Sequence, residues 1–141
     1  MDSLFEEYKD VFEESSEPVV AKKPAGFAFS PFALQDGVGE RSAKKAWIEY
    51  IKLRLSGIQA EELVPRIVSK ARDMVLIKRG ATAADLNSKP FPYGKSKKDL
   101  KNWPEVNLQN FYTNLVTTYH HSRIKSNYNL DIEIEKLLLG L

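Results

Sequence analysis

Apolar residues recur along most of this chain at helical spacing, and capping and breaking residues divide the pattern into elements. Ser30-Pro31 reads as an N-cap followed by proline at the first helical position, where the missing N–H removes no intrahelical bond. It predicts a short helix over residues 32–36 that stops at Gly37. Ser42 can cap a second helix in which Ala43, Ala46, Trp47, Tyr50 and Ile51 share a face, and Ser56-Gly57 supplies a left-handed end. A third stripe, Leu63, Val64, Ile67, Val68, Ala71, Met74 and Val75, runs to Lys78-Arg79 before Gly80, with the positive last turn suited to the helix dipole. Pro65 inside that stripe implies a later start or a kink. Over residues 81–105, Thr82 caps a single turn to Leu86, while Pro90, Pro92, Gly94 and Pro104 break the stretch, leaving a brief helix over residues 95–103. From Asn107 the spacing of Leu108, Phe111, Tyr112, Leu115, Val116 and Tyr119 is the strongest helical signal in the chain. Asp131 reads as the N-cap of a last helix with Ile134, Leu137, Leu138 and Leu141 on one face. No alternating strand bounded by hairpin turns and no repeat period occurs. The expected fold is all-α, a bundle of about five helices.

Composition bounds what such a bundle can do. The 141 residues are 43% hydrophobic and 28% charged, enough for one soluble domain with a core of its own. The absence of cysteine excludes disulfides, thiol nucleophiles and thiolate metal sites. No apolar run reaches the ~20 residues of a membrane span and no secretory signal layout is present, so a cytoplasmic location and no membrane partner are expected. The net charge of +2 conceals a division. Residues 1–17 hold seven acids against Lys9, a charge of −6, whereas residues 18–141 hold 20 Lys and Arg against 12 acids, a charge of +8. The acidic head and its Pro-containing linker, residues 1–29, read as a solvated, partly disordered segment before a helical domain over residues 30–141. Leu4, Phe5, Tyr8, Val11 and Phe12 nonetheless fall at helical spacing, so the head can also form an acidic amphipathic helix that wants a groove, its own basic body or a partner.

Catalytic and cofactor chemistry is not signalled. Gly94-Lys95-Ser96 resembles the end of a phosphate-binding loop, but position 89 is Lys where that loop needs Gly, two prolines stiffen the approach, and no strand precedes it. His120-His121 are adjacent and so point about 100° apart on a helix, unlike the i, i+3 or i, i+4 spacing of two ligands to one metal. No nucleophile elbow and no carboxylate pair in a Gly-rich setting appears, so no catalytic residue, cofactor or metal ligand is assigned. What remains is a basic segment. Lys89, Lys95, Lys97, Lys98 and Lys101, interleaved with Phe91, Tyr93 and Trp103, are opposed only by Asp99. They read either as a solvated loop whose aromatics plug the core or as a surface for a phosphate backbone, with Lys95, Lys97, Lys98, Lys101 and Arg123 as candidate nucleic-acid contacts. Trp47, Tyr112 and Tyr119 read as core residues with a polar tip at the rim, and the cations near the end of the long helix as partners of its dipole.

Three blocks, taken in order, carry a family resemblance. They are Phe32-Ala33-Leu34-Gln35-Asp36 with Gly39-Glu40-Arg41-Ser42-Ala43-Lys44-Lys45-Ala46-Trp47, then Lys89-Pro90-Phe91-Pro92-Tyr93-Gly94-Lys95, and finally Leu115 to Arg123 with Leu130 to Leu139. Together they resemble the C-terminal helical domain of the bacterial DNA polymerase III delta subunit, over about residues 30–141. The delta subunit belongs to the clamp loader, which opens the ring-shaped sliding clamp and places it on primed DNA. Its C-terminal domain forms a collar with the equivalent domains of the other subunits. The resemblance implies a non-catalytic assembly module of the DNA polymerase III holoenzyme whose partners are the ATPase subunits and delta-prime, with the sliding clamp and DNA reached through the assembly. It also points to Ile134, Leu137, Leu138, Leu139 and Leu141 as a candidate subunit interface, and to Leu4 and Phe5 as a clamp-type peptide. Family members carry two further domains before the collar, where this chain has residues 1–29, so clamp opening does not transfer intact. The alternative from a different class is a small basic helical nucleic-acid-binding protein. In a third reading the acidic head folds over the basic body as an internal inhibitor.

Overall fold

The computed structural model describes residues 32–141, which form α1 (Ala33–Gly39), α2 (Ala43–Leu55), α3 (Ala60–Lys78), α4 (Pro90–Asp99), a 3-10 turn (Leu100–Asn102), α5 (Glu105–Ile124) and α6 (Leu130–Leu139). Among the described residues there is no strand, so the fold is all-helical, with six helices where the sequence predicts about five. The expectations placed on residues 1–29, including Leu4 and Phe5, lie outside the described residues, as does the Ser30-Pro31 cap.

The hub is α3, which packs against α1, α4, α5 and α6, while α2 closes over α1 and α6. Its stripe is the core: Leu63, Val64, Ile67, Ala71 and Met74 are all 0% exposed. Burial of each large side chain contributes about 1.5–3 kcal/mol. Leu108, Phe111 and Leu115 of α5 and Ile134 and Leu138 of α6 complete it. The predicted cap of α2 is present, with Ser42 Oγ accepting from the Lys45 N–H at 3.2 Å. So is its end: Gly57 adopts φ 103° and its N–H donates to Arg54 O, while the Ile58 N–H reaches back to Leu53 O. The same pair of bonds closes α3, from Gly80 to Ile77 O and from Ala81 to Leu76 O.

Four local expectations are corrected, each for an identifiable reason. Helix α1 runs through Gly37 to Gly39. Gly37 lies where α2 crosses, and a Cβ there would stand 2.8 Å from the Ala46 backbone nitrogen, so the glycine admits a neighbouring helix and does not end its own. At Pro65 it is the later start that is overturned: helix α3 starts at Ala60 and includes Pro65, whose exposed position lets water take the carbonyl that the missing N–H leaves free. Pro90 and Pro92 begin α4 where a break was expected, because both occupy the first turn, whose N–H groups have no intrahelical acceptor; the first such bond runs from the Tyr93 N–H to Lys89 O. Finally, α6 is capped by Asn129, whose side chain accepts from the Ile132 N–H at 3.1 Å. Asp131 is the second residue of the helix, in its first turn, and bonded elsewhere.

Candidate interaction surface

Two polar networks tie the bundle together, one buried and one half-buried. Lys70 of α3, 9% exposed, donates from Nζ to Asp99 Oδ2 at 3.0 Å and to Ser96 Oγ at 3.1 Å, both on α4 and both buried. Lys95 adds a second cation to Asp99 at 3.4 Å and reaches Glu40 at 3.8 Å. The pair is a clamp between α3 and α4.

The second network joins α2 to α6. Asp131 accepts from the Tyr50 hydroxyl at 2.6 Å and from Arg54 Nε at 3.1 Å, and Arg54 also donates to Ile58 O at 2.9 Å. Burial works against the Asp131 carboxylate, yet the Arg54 guanidinium and the Tyr50 hydroxyl outweigh it and hold the group below the usual carboxylate range. Burial, then the bond to Asp131, pushes the Tyr50 hydroxyl up. Beside this network lies an open depression of about 400 Å³ between the start of α3 and the loop before α6, with Arg54, Glu61 and Asp131 on its wall. Ser126 and Tyr128 also line it, and of its ionic groups Arg54 and Asp131 are paired with each other whereas Glu61 has no ion partner among the described residues.

The sequence-predicted basic segment is divided by folding. Lys89, Lys97, Lys98 and Lys101 are exposed and have no ion partner among the described residues, whereas Lys95 is drawn in toward Asp99 and Glu40. Of the interleaved aromatics, only Phe91 faces outward, at 83% exposure. The Tyr93 hydroxyl donates to Ala81 O at 2.9 Å, and Trp103 is buried with its Nε1 donating to Val38 O at 3.0 Å and its ring 5.2 Å from that of Phe111. Arg123 belongs to a different helix, where its guanidinium lies over the Tyr119 ring. His121 stands edge-on to Tyr128, and among the described residues no cluster of three His, Asp or Glu could hold a metal ion.

The C-terminal leucines also separate. Ile134 and Leu138 are 0% exposed within this chain's own core and offer no surface to a neighbour. Leu139 is 56% exposed, and Leu137 and Leu141, half-buried, line a second depression of about 200 Å³ between α5 and the end of α6.

The face that sequence reading overlooked is the outer side of α5. Val106, Asn110, Thr113, Thr117, His120 and Ile124 follow one another at alternating spacings of four and three, opposite the buried Leu108, Phe111 and Leu115, and all six are exposed. From residue 106 to residue 122 the chain holds no Asp, Glu, Lys or Arg. Elsewhere the outward faces are charged: Lys44 on α2, Glu61, Glu62 and Arg72 on α3, Lys97 and Lys98 on α4, Lys136 on α6. The signal was present in the sequence as a gap in charge, masked by the stronger apolar stripe on the opposite face.

Against protein-family models, curated proteins and solved structures, the chain matches none. No helix among the described residues is long and apolar enough to cross a membrane.

Proposed function

We propose that this chain is a non-catalytic assembly module of a DNA-replication clamp loader, akin to the collar domain of the DNA polymerase III delta subunit, and that it packs against other clamp-loader subunits in the cytoplasm. The observation that supports this reading is the outer face of α5, five turns of exposed helix without a charged side chain between residues 106 and 122. Depletion of charge is what sets the centre of a protein interface apart from ordinary surface, because each charged group buried there must be desolvated and paired. A solvent-facing helix has no such reason to exclude Lys and Glu, which are good helix formers. Co-purification with the ATPase subunits and delta-prime tests the proposal. The parent chain joins the assembly, and Thr113→Glu with Thr117→Glu abolishes joining while leaving the circular dichroism spectrum unchanged. A chain that stays monomeric beside those subunits overturns it.

The second reading, a small basic nucleic-acid-binding protein, draws on the exposed Lys97, Lys98 and Lys101. It requires DNA affinity that falls steeply with salt and is weakened when these three become Ala. Affinity insensitive to those changes removes it.

A further inference from the structure

We infer that the depression between α5 and the end of α6 is a binding cleft for an extended, carboxylate-bearing segment of a partner protein, anchored by Arg41. The inference begins with the backbone. Helix α1 closes with the same pair of bonds as α2 and α3: the Arg41 N–H donates to Val38 O at 3.0 Å and the Ser42 N–H to Gly37 O at 2.9 Å. The residue at the turn must then be left-handed, and at the equivalent places α2 and α3 use Gly57 and Gly80. Here it is Arg41, at φ 57°. A side chain with a Cβ is strained in that conformation, so its presence where glycine serves elsewhere calls for something that the side chain does.

Packing accounts for part of it. The guanidinium lies over the buried Trp103 ring, 4.9 Å from its centre. Stacking uses the flat face of the group and leaves its in-plane donors unspent. Among the described residues Arg41 forms no ion pair, and its Nε is shielded from water with no hydrogen-bond partner. Lys70, Lys95 and Arg54, which are also drawn inward, each have a carboxylate within 3.4 Å, whereas Arg41, like Arg66, has no such acid among the described residues.

Its surroundings say what kind of molecule would bring that acid. Arg41 lines a depression of about 200 Å³ with Asn107, Asn110 and Asn114 from α5, Leu137 in the last turn of α6 and Leu141 beyond its end. The three asparagines recur on one side of the helix and their side chains make no hydrogen bond among the described residues. Each carries both donors and an acceptor, which is what an extended peptide backbone needs. The leucines offer contact to apolar side chains flanking the acid. A nucleic-acid backbone fits less well, since it calls for several cations, and Lys136, the other cation of the cleft, is engaged with Glu133 at 3.3 Å. The cleft adjoins the uncharged face of α5, yet recognition of a carboxylate peptide stands whether or not the partner is a clamp-loader subunit.

The test uses the full chain, labelled with nitrogen-15 and titrated with the blocked peptide acetyl-Leu-Glu-Leu-amide, with the side-chain resonances of Arg41, Asn107, Asn110 and Asn114 as readout. Saturable shifts confined to this group are expected, with acetyl-Leu-Gln-Leu-amide binding about ten-fold more weakly because the charge-assisted bonds are lost. Arg41→Gly is the informative variant, because it relieves the backbone strain while removing the anchor: it remains folded and no longer binds. Asn110→Ala, an exposed position, is expected to weaken binding with the core untouched and carries the test should the glycine variant lose its fold. An absent or non-saturating response, an equal response to the Gln peptide, unchanged binding by Arg41→Gly, or displacement of the peptide by a short oligothymidylate at lower concentration each overturns the inference. Failure of co-purification with clamp-loader subunits leaves it standing.

Discussion

Two cations sit close to α1, and the molecule treats them in opposite ways. Lys70 projects from α3 toward Gly39, whose missing side chain leaves the space that Lys70 and Asp99 occupy. Its charge is matched by Asp99, shared with Lys95, and its remaining contact is Ser96. Arg41, two residues beyond Gly39, is stacked on Trp103 with its Nε unpartnered. The first is a finished interaction and the second an unfinished one. A buried charge with all its partners sets how helices register against each other; a rim charge without an acid marks where a further molecule can supply one.

The largest expected effect comes from breaking the finished side. Asp99→Leu strands Lys70 in the core with only a serine and should lower unfolding free energy by about 3–5 kcal/mol, read from the urea midpoint. Lys70→Met should cost clearly less, because Lys95 still neutralises Asp99 from 3.4 Å. Equal losses would show that Lys95 contributes nothing. Gly39→Ala comes next, at roughly 1–3 kcal/mol, since a methyl group there overlaps the Asp99 carboxylate and can be admitted only by loosening it from Lys70.

A smaller effect tests the other satisfied network through pH. The folded Asp131 carboxyl binds a proton less readily than its unfolded counterpart, whose pKa is about 3.9, so its contribution is complete above that value and is lost as pH falls through the lower folded value. Asp131→Asn should therefore be less stable than the parent near pH 7, and the gap should narrow below about pH 4. A gap independent of pH would mean that Asp131 acts by shape alone. The smallest effect belongs to Arg41→Gly, expected within about 1 kcal/mol of the parent, as relief of the left-handed backbone offsets the lost stacking on Trp103. A loss as large as that of Asp99→Leu would place Arg41 among the finished interactions and dissolve the contrast.

The helices were legible where periodicity and capping spoke together. Ser42, Gly57 and Gly80 bound α2 and α3 as their residue types predict, and the stripes of α3 and α5 face the core except for Val116, which is exposed. The misreadings have one source, residues whose local meaning depends on what lies across from them. Gly37 looks like a stop until α2 is laid against it, and Pro90 and Pro92 look like breaks until the helix is seen to begin with them. The candidate surface was less legible. Sequence proximity groups Lys95 with its exposed neighbours although Glu40 and Asp99 claim it, and the family resemblance assigns Ile134 and Leu138 to a partner although the chain's own core takes them. Helical spacing says that residues share a face; it does not say whether that face meets the rest of the chain or a second molecule.

An all-helical domain without cysteine chemistry, its main apolar stripes and several of its helix ends can be read from the residues in order, because these follow from interactions spanning no more than about four residues. Only the tertiary structure decided which polar groups are spent. The bonds of Lys70 to Asp99, of Asp131 to Tyr50 and of Trp103 to Val38 join residues 29, 81 and 65 positions apart. The left-handed strain and the unpartnered Nε at Arg41 likewise exist only once α1, Trp103 and α5 have been brought together. A charge's partners are set by distance in space, and distance in space is what a linear pattern does not contain.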